Sequence, residues 1–145
     1  MTPVISGNTL YLNSGSGIKF ASGTTVGVVR GNTIRENSLS GVYIANTGGA
    51  TEISKTTIIT NTIEDNGGYS ILLESDNTYI TSTMISGNSM SGNSGGFTVV
   101  DPNSLGIQKT MYVSNEDLGK HRHSLSNFFK SFSNNSTFLL DRWNY

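Results

Sequence analysis

Gly31-Asn32-Thr33-Ile34-Arg35-Glu36-Asn37-Ser38-Leu39-Ser40-Gly41-Val42-Tyr43-Ile44 is one copy of a unit that the chain writes four times. Its leading Asn32 has counterparts at Asn8, Asn61 and Asn88, separated by 24, 29 and 27 residues. The gaps are uneven, but the register inside each unit is tight. An aliphatic residue precedes each of these Asn by three positions (Ile5, Val29, Ile58, Ile85), and another follows by two (Leu10, Ile34, Ile63, Met90). A second Asn follows by five (Asn13, Asn37, Asn66, Asn93). A small residue comes after nine positions at Gly17, Gly41 and Ser70, and after eight at Gly96. Then comes an apolar-x-apolar triplet: Ile18 and Phe20, Val42 and Ile44, Ile71 and Leu73, Phe97 and Val99. The length variation falls between the triplet and the next unit. A fixed rung with insertions confined to one corner is the signature of a solenoid.

Alternation of period two makes the rungs strands, not helices. In Gly41-Val42-Tyr43-Ile44 the apolar residues point inward and Tyr43 outward, and the matching outward positions are Lys19, Leu72 and Thr98. The second Asn column belongs at a corner, because Asn tolerates left-handed backbone and bonds its own main chain. Stacked on its neighbours, each amide donates to one coil and accepts from the other, giving a ladder that satisfies buried turn amides. Coils about 4.8 Å apart make four rungs only about 20 Å tall. Such a short stack, open at Ile5, reads as a piece of a longer helix or as a subunit whose end packs on something else.

Composition narrows the function. Charged residues are 13% and the formal net charge is -1, with no Lys/Arg run. The electrostatic footprint of a nucleic-acid partner is therefore missing. No stretch approaches the ~20 apolar residues of a membrane span, so no membrane insertion is expected. The absence of cysteine rules out disulfide and thiol chemistry. Nothing in the chain implies a cofactor.

The repeated pattern, clearest from Gly7 to Phe20 and from Gly31 to Ile44, resembles the right-handed parallel β-helix repeat of the pectin-lyase-like superfamily over roughly residues 4–101. That resemblance implies an all-β right-handed parallel β-helix of about four coils over 1–101. Residues 102–145 then form a C-terminal cap or oligomerisation segment. Members include pectin and pectate lyases, polygalacturonases, alginate epimerases and phage tailspikes that bind or cut polysaccharide. Low charge, abundant Asn, Ser and Gly, and an aromatic C-terminal end are similar to a bacteriophage tailspike or appendage fragment. This implies attachment to cell-surface polysaccharide, a homotrimer, and a place on the virion tail or outside the cell. The alternatives are a polysaccharide lyase or glycoside hydrolase fragment and a structural stalk.

After Asp101-Pro102-Asn103 the repeat register stops at a turn signal. Residues 107–113 can form one more strand. Leu125, Phe128, Phe129 and Phe132 have the spacing of one face of a short helix. The last eighteen residues hold four Phe, one Trp and one Tyr, an apolar cluster suited to a lid or a subunit contact. His121-Arg122-His123 has no third ligand in view and reads as a cationic loop, so no metal is expected.

Glycan cleavage needs two placed carboxylates. Stacking puts Glu36 and Asp65 in one column, about 5 Å apart at Cα, which makes them the candidate catalytic pair. Arg35 and Glu64 share the preceding column, so an Arg35–Glu64 bridge beside two solvated carboxylates is the plainer reading. Loop insertions on one side of a solenoid are where ligands bind. On that basis Tyr43, Glu52, Glu74 and Asp76 are the candidate ligand-binding residues. The repeats hold no His, and no polygalacturonase-type or calcium-lyase cluster appears, so the enzymatic reading stays open without being favoured. Thr56, Thr57, Thr60, Thr62, Thr78, Thr81 and Thr83 form an irregular Thr-rich set whose simplest role is strand formation at half-buried positions.

Overall fold

The computed structural model describes residues 2–21, 27–46, 53–75, 80–96 and 98–100, and the strands at 107–108, 111–113 and 116–117. The chain winds through short strands that stack into four sheets. The first coil is β1 (Val4–Ser6), β2 (Thr9–Tyr11) and β3 (Ile18–Phe20). The second is β4 (Val28–Arg30), β5 (Thr33–Arg35), β6 (Val42–Asn46) and β7 (Ile53–Ser54). The third is β8 (Thr57–Ile59), β9 (Thr62–Glu64), β10 (Ile71–Ser75) and β11 (Ile80–Thr81). The fourth is β12 (Met84–Ser86), β13 (Ser89–Ser91), β14 (Thr98–Val100) and β15 (Ile107–Gln108). A fifth begins with β16 (Met111–Val113) and β17 (Glu116–Asp117).

Sheet A runs β1-β4-β8-β12-β16 and sheet B runs β2-β5-β9-β13-β17. Sheet C runs β3-β6-β10-β14 and sheet D runs β7-β11-β15. Every pairing among these strands is parallel, and each joins a strand to its equivalent one coil away. The fold is therefore the expected all-β parallel β-helix. Inward columns fill the bore. Val29, Ile58 and Ile85 line sheet A, Ile34, Ile63 and Met90 sheet B, and Val42, Ile44, Ile71 and Leu73 sheet C, all fully buried. Burying a side chain of this size contributes about 1.5–3 kcal/mol. Lateral packing and the parallel ladders thus carry the fold together.

The corners explain the Asn columns. The second column forms a ladder: Asn13 Nδ2 donates to Asn37 Oδ1 (2.7 Å), Asn37 Nδ2 to Asn66 Oδ1 (2.9 Å), and Asn66 Nδ2 to Asn93 Oδ1 (2.8 Å). The first column does the same through Asn8, Asn32, Asn61 and Asn88, a second ladder beyond the one expected. Each Oδ1 also accepts the main-chain N–H of the Asn one coil earlier. Within the stack each Nδ2 donates as well to a carbonyl of the coil before, as Asn66 does to Ile34 O at 3.1 Å. A carboxamide is suited to this because it carries an acceptor and two donors on one planar group.

The left-handed residue is not the Asn but its predecessor. Leu12, Glu36, Thr60 and Asp65 have φ between 53° and 55°, and Gly7, Gly31, Gly87 and Gly92 complete the set. Left-handed backbone turns the chain through the corner, while the Asn after it stays free to stack. Lys55 and Ser82 repeat the geometry at a third corner, where Thr56 and Thr83 follow in place of Asn. Both are buried, so these two belong to the corner's interior and not to half-buried strand positions. Among the described residues their hydroxyls have no hydrogen-bond partner.

Two further expectations change. The fourth triplet is Thr98-Val99-Val100, not Phe97-Thr98-Val99: Ile71 pairs with Thr98, Leu72 with Val99 and Leu73 with Val100. The spacing from corner Asn to triplet is thus five residues in every coil (13 to 18, 37 to 42, 66 to 71, 93 to 98). Backbone continuity sets this register, with Ser70 N–H donating to Gly96 O at 2.9 Å. The second change concerns where the winding stops. The strand expected over 107–113 exists as β15 and β16, with β17 after it. They pair onto β11, β12 and β13, so the stack runs past the expected limit at residue 101 as far as Asp117. In the sequence Asn115 stands before Glu116 as Asn88 stands before Ser89, a recurrence that the four-unit reading missed. The helix expected over 125–132, the aromatic cluster and His121-Arg122-His123 lie outside the described residues.

The small-residue column has a packing cause. A Cβ on Gly41 would overlap Cγ2 of Ile63 and stand 2.8 Å from Ser70 O. A Cβ on Gly17 would likewise overlap Cγ2 of Ile34 and stand 2.9 Å from Gly41 O. Where the column carries Ser70, the corresponding residue of the next coil is Met90, which has no branch at Cβ. Ser70 is fully buried, and its Oγ accepts from Asn93 Nδ2 at 2.7 Å.

Candidate functional site

Two clusters of outward side chains combine charge with an aromatic ring. The first lies at the corner after sheet B. The strand register stacks Tyr11, Arg35 and Glu64 in one column, and the next residues along, Leu12, Glu36 and Asp65, occupy the left-handed corner. Glu36 N–H donates to Glu64 O (3.2 Å) and Asp65 N–H to Ser91 O (3.0 Å). The corner thus fixes the backbone of the candidate catalytic pair in adjacent coils on one column. Both side chains are exposed. The ion pair of Arg35 is with its neighbour Glu36, not with Glu64 across the coils. Glu36 itself holds the left-handed backbone of the corner, and its carboxylate meets the guanidinium of the residue before it. The same guanidinium carbon lies 5.2 Å from the Tyr11 ring centroid, a cation–π contact that the sequence reading did not include. Its signal was the shared column position. Among the described residues no three Asp, Glu or His side chains converge as metal ligands would.

The second cluster lies on the outer face of sheet C. Register pairs Lys19, Tyr43 and Leu72 along the helix axis, and pairs Ala45 with Glu74 two residues further on. Tyr43 Oη donates a hydrogen bond to the Glu74 carboxylate from one coil to the next. The Lys19 ammonium stands 5.1 Å from the Tyr43 ring centroid. Tyr43, Leu72 and Glu74 are half-buried and Lys19 is exposed. Ala45 is buried beside Glu74, and its small side chain leaves room for the longer carboxylate to lie against the sheet. The ring is therefore held from both sides along the axis, by a cation below and an anion above.

Two of the four expected ligand-binding residues, Tyr43 and Glu74, are thus in direct contact. The other two, Glu52 and Asp76, lie outside the described residues. Lys19 had been read only as an outward position, and its place in the cluster follows from register. Among the described strands β6 and β10 are the longest, five residues each, and in the sequence stretches of variable length follow them.

The stacked parallel sheets, the Asn-lined corners and the inward aliphatic columns define the class, and the comparisons agree with it. The family model described as a right handed beta helix region matches residues 1–118, and the chain belongs to that family. Among curated proteins and solved structures no significant match accompanies it.

Proposed function

We propose that this chain is a glycan-binding module, with the outer face of sheet C as its contact surface. The observation that supports this reading most directly is Tyr43, whose ring is fixed between Lys19 and Glu74 on an outward face. Solenoids bind ligands on such faces, beside their variable loops. An aromatic ring offers a sugar its apolar side while flanking polar groups meet the hydroxyls. The module serves attachment to cell-surface polysaccharide, as part of a tailspike-like protein on a virion tail or outside a cell, and works as a homotrimer. A family of right-handed β-helices is compatible with a carbohydrate-related or a structural role, and fold alone does not choose between them.

A glycan array paired with an assay for released reducing ends or unsaturated products tests the reading. Binding without product supports a non-catalytic module. Product formation that disappears in Glu36→Gln or Asp65→Asn, with the fold intact, points instead to the second reading, a lyase or glycoside hydrolase acting through the stacked Glu36 and Asp65. Neither binding nor product leaves a stalk, for which the two continuous Asn ladders speak. Sedimentation tests the trimer: a 15.5 kDa particle unchanged by concentration removes it.

A further inference from the structure

Sheet A turns an apolar face outward. In β4, β8 and β12 the middle residue is buried in the bore, so the residues on either side of it point out. Register stacks Val4, Val28, Thr57 and Met84 in one outward column and carries that column on to Met111. Ile59 adds a second apolar group on the same strand as Thr57. Val4 and Met84 are exposed, and Val28, Thr57 and Ile59 are half-buried. Among the described residues of this face the one charge is Arg30. Sheet B differs, since its outward positions hold Thr33, Thr62, Arg35 and Glu64. The outer face of sheet C is taken up by the contacts among Lys19, Tyr43 and Glu74.

The size of this face selects its occupant. From β1 to β16 it is about 20 Å tall, at about 4.8 Å per strand, and its short strands make it about 10 Å wide. That is roughly 200 Å², a quarter of the ~800 Å² that each partner gives to a stable interface between proteins, so the face is too small to hold a second copy. One packed helix is about 10 Å across and fits it. In sequence the chain supplies such a segment beyond the last described strand: Leu125, Phe128, Phe129 and Phe132 have the spacing of one apolar helix face. Residues 118–124 lead to it from Asp117, the end of β17. Fully extended they span about 23 Å, enough to bring residues 125–132 to any level of sheet A. We infer that residues 125–132 cover the outer face of sheet A in their own chain, with their Leu and Phe side chains against Val28, Ile59 and Met84. Each apolar surface removes the other from water. The coils of a solenoid otherwise touch only their neighbours, and this cover clamps the second, third and fourth together.

The chain has no cysteine, so thiols introduced into the full chain test the cover. Met84→Cys places one on the sheet A face, and Thr62→Cys places a control on the exposed outer face of sheet B. Each is alkylated with iodoacetamide, and its rate is divided by its own rate in urea. A face uncovered for no more than about a tenth of the time reacts about tenfold more slowly than an open one. The Met84→Cys thiol is therefore expected to react about tenfold more slowly than the control. Phe128→Ser with Phe129→Ser should bring it up to the control rate and leave Thr62→Cys unchanged. Equal rates for the two thiols overturn the inference, and so does a Met84→Cys rate that the Phe substitutions leave alone. If those substitutions loosen the whole stack, Thr62→Cys speeds up as well, and a second measurement decides. In it Met84→Cys is paired in turn with Phe128→Cys and Phe129→Cys and oxidised. A disulfide within a monomer supports the cover. A disulfide-linked dimer assigns the face to a neighbouring chain, and no disulfide in either pair leaves the segment elsewhere; both results overturn it.

Discussion

Removing one interior rung of the Asn ladder should cost several times more than removing its end rung. In Asn66→Ala, the main-chain N–H of Asn37 loses its acceptor, Asn66 Oδ1 at 3.1 Å. Asn37 is 1% exposed, so no water replaces the lost partner. A buried donor left without a partner costs about 1–3 kcal/mol. The same substitution deletes the Asn37 Nδ2 bond to Oδ1 (2.9 Å) and the Nδ2 bonds to Asn93 Oδ1 (2.8 Å), Ile34 O (3.1 Å) and Glu64 O (3.1 Å). Part of that is regained because Asn37 Nδ2 keeps Leu10 O and Asn93 Oδ1 keeps the residue-66 N–H. The expected loss is about 3–5 kcal/mol. Asn13→Ala, at the exposed end, removes only the Nδ2 bond to Asn37 Oδ1 and strands no buried N–H. Its expected cost is about 1 kcal/mol. Urea titration followed by far-UV circular dichroism gives both values, and amide exchange reports on Asn37 directly. The Asn37 amide should exchange much faster in Asn66→Ala and be nearly unchanged in Asn13→Ala. Equal costs for the two variants, or an Asn37 amide as protected as before, would refute the ladder as the source of corner stability.

Gly41→Ser should destabilise by about 1–3 kcal/mol through overpacking against Ile63, and Ile63→Met in the same chain should recover much of it by copying the Ser70 and Met90 pair. A double-mutant cycle by urea titration that shows no coupling above about 0.5 kcal/mol removes the explanation. Thr60→Gly relieves a β-branched residue at φ 54°; with about 1–2 kcal/mol of left-handed strain against about 0.5–1 of glycine entropy, it should raise stability slightly, and a lowered melting midpoint contradicts this. Thr56→Asn with Thr83→Asn should start a third ladder at the corner where two buried hydroxyls find no partner among the described residues. The pair should gain about 1 kcal/mol beyond the sum of the singles, and strict additivity would count against it.

The particular residues show where legibility ended. Asn37, Asn66 and Asn93 were readable as a stacked column because a ladder needs the same side chain at the same place in every rung. The core columns were readable because period-two alternation of aliphatics has one burial solution. The fourth triplet was misplaced because Phe97 is a better core residue than Thr98, and side-chain identity drew attention from the constant five-residue step after each corner Asn. Backbone hydrogen bonds, which ignore side-chain type, held the register. The Arg35 partner was misjudged for a related reason: column position gives which backbones stack, but the left-handed corner decides where the Glu36 side chain goes.

By itself the sequence determined the winding, the two Asn columns as positions with a corner at the second, and the residues that fill the bore, since all of these repeat and repetition is visible along a chain. Only the tertiary structure decided which outward side chains meet. Tyr43 and Glu74 are 31 residues apart and carry no shared motif. They touch because one coil lies over the next and the shift of two residues along the strand matches the reach of a tyrosine hydroxyl. Contacts of that kind depend on rotamers, on the small Ala45 beside Glu74 and on the direction of each Cβ, none of which a one-dimensional pattern records.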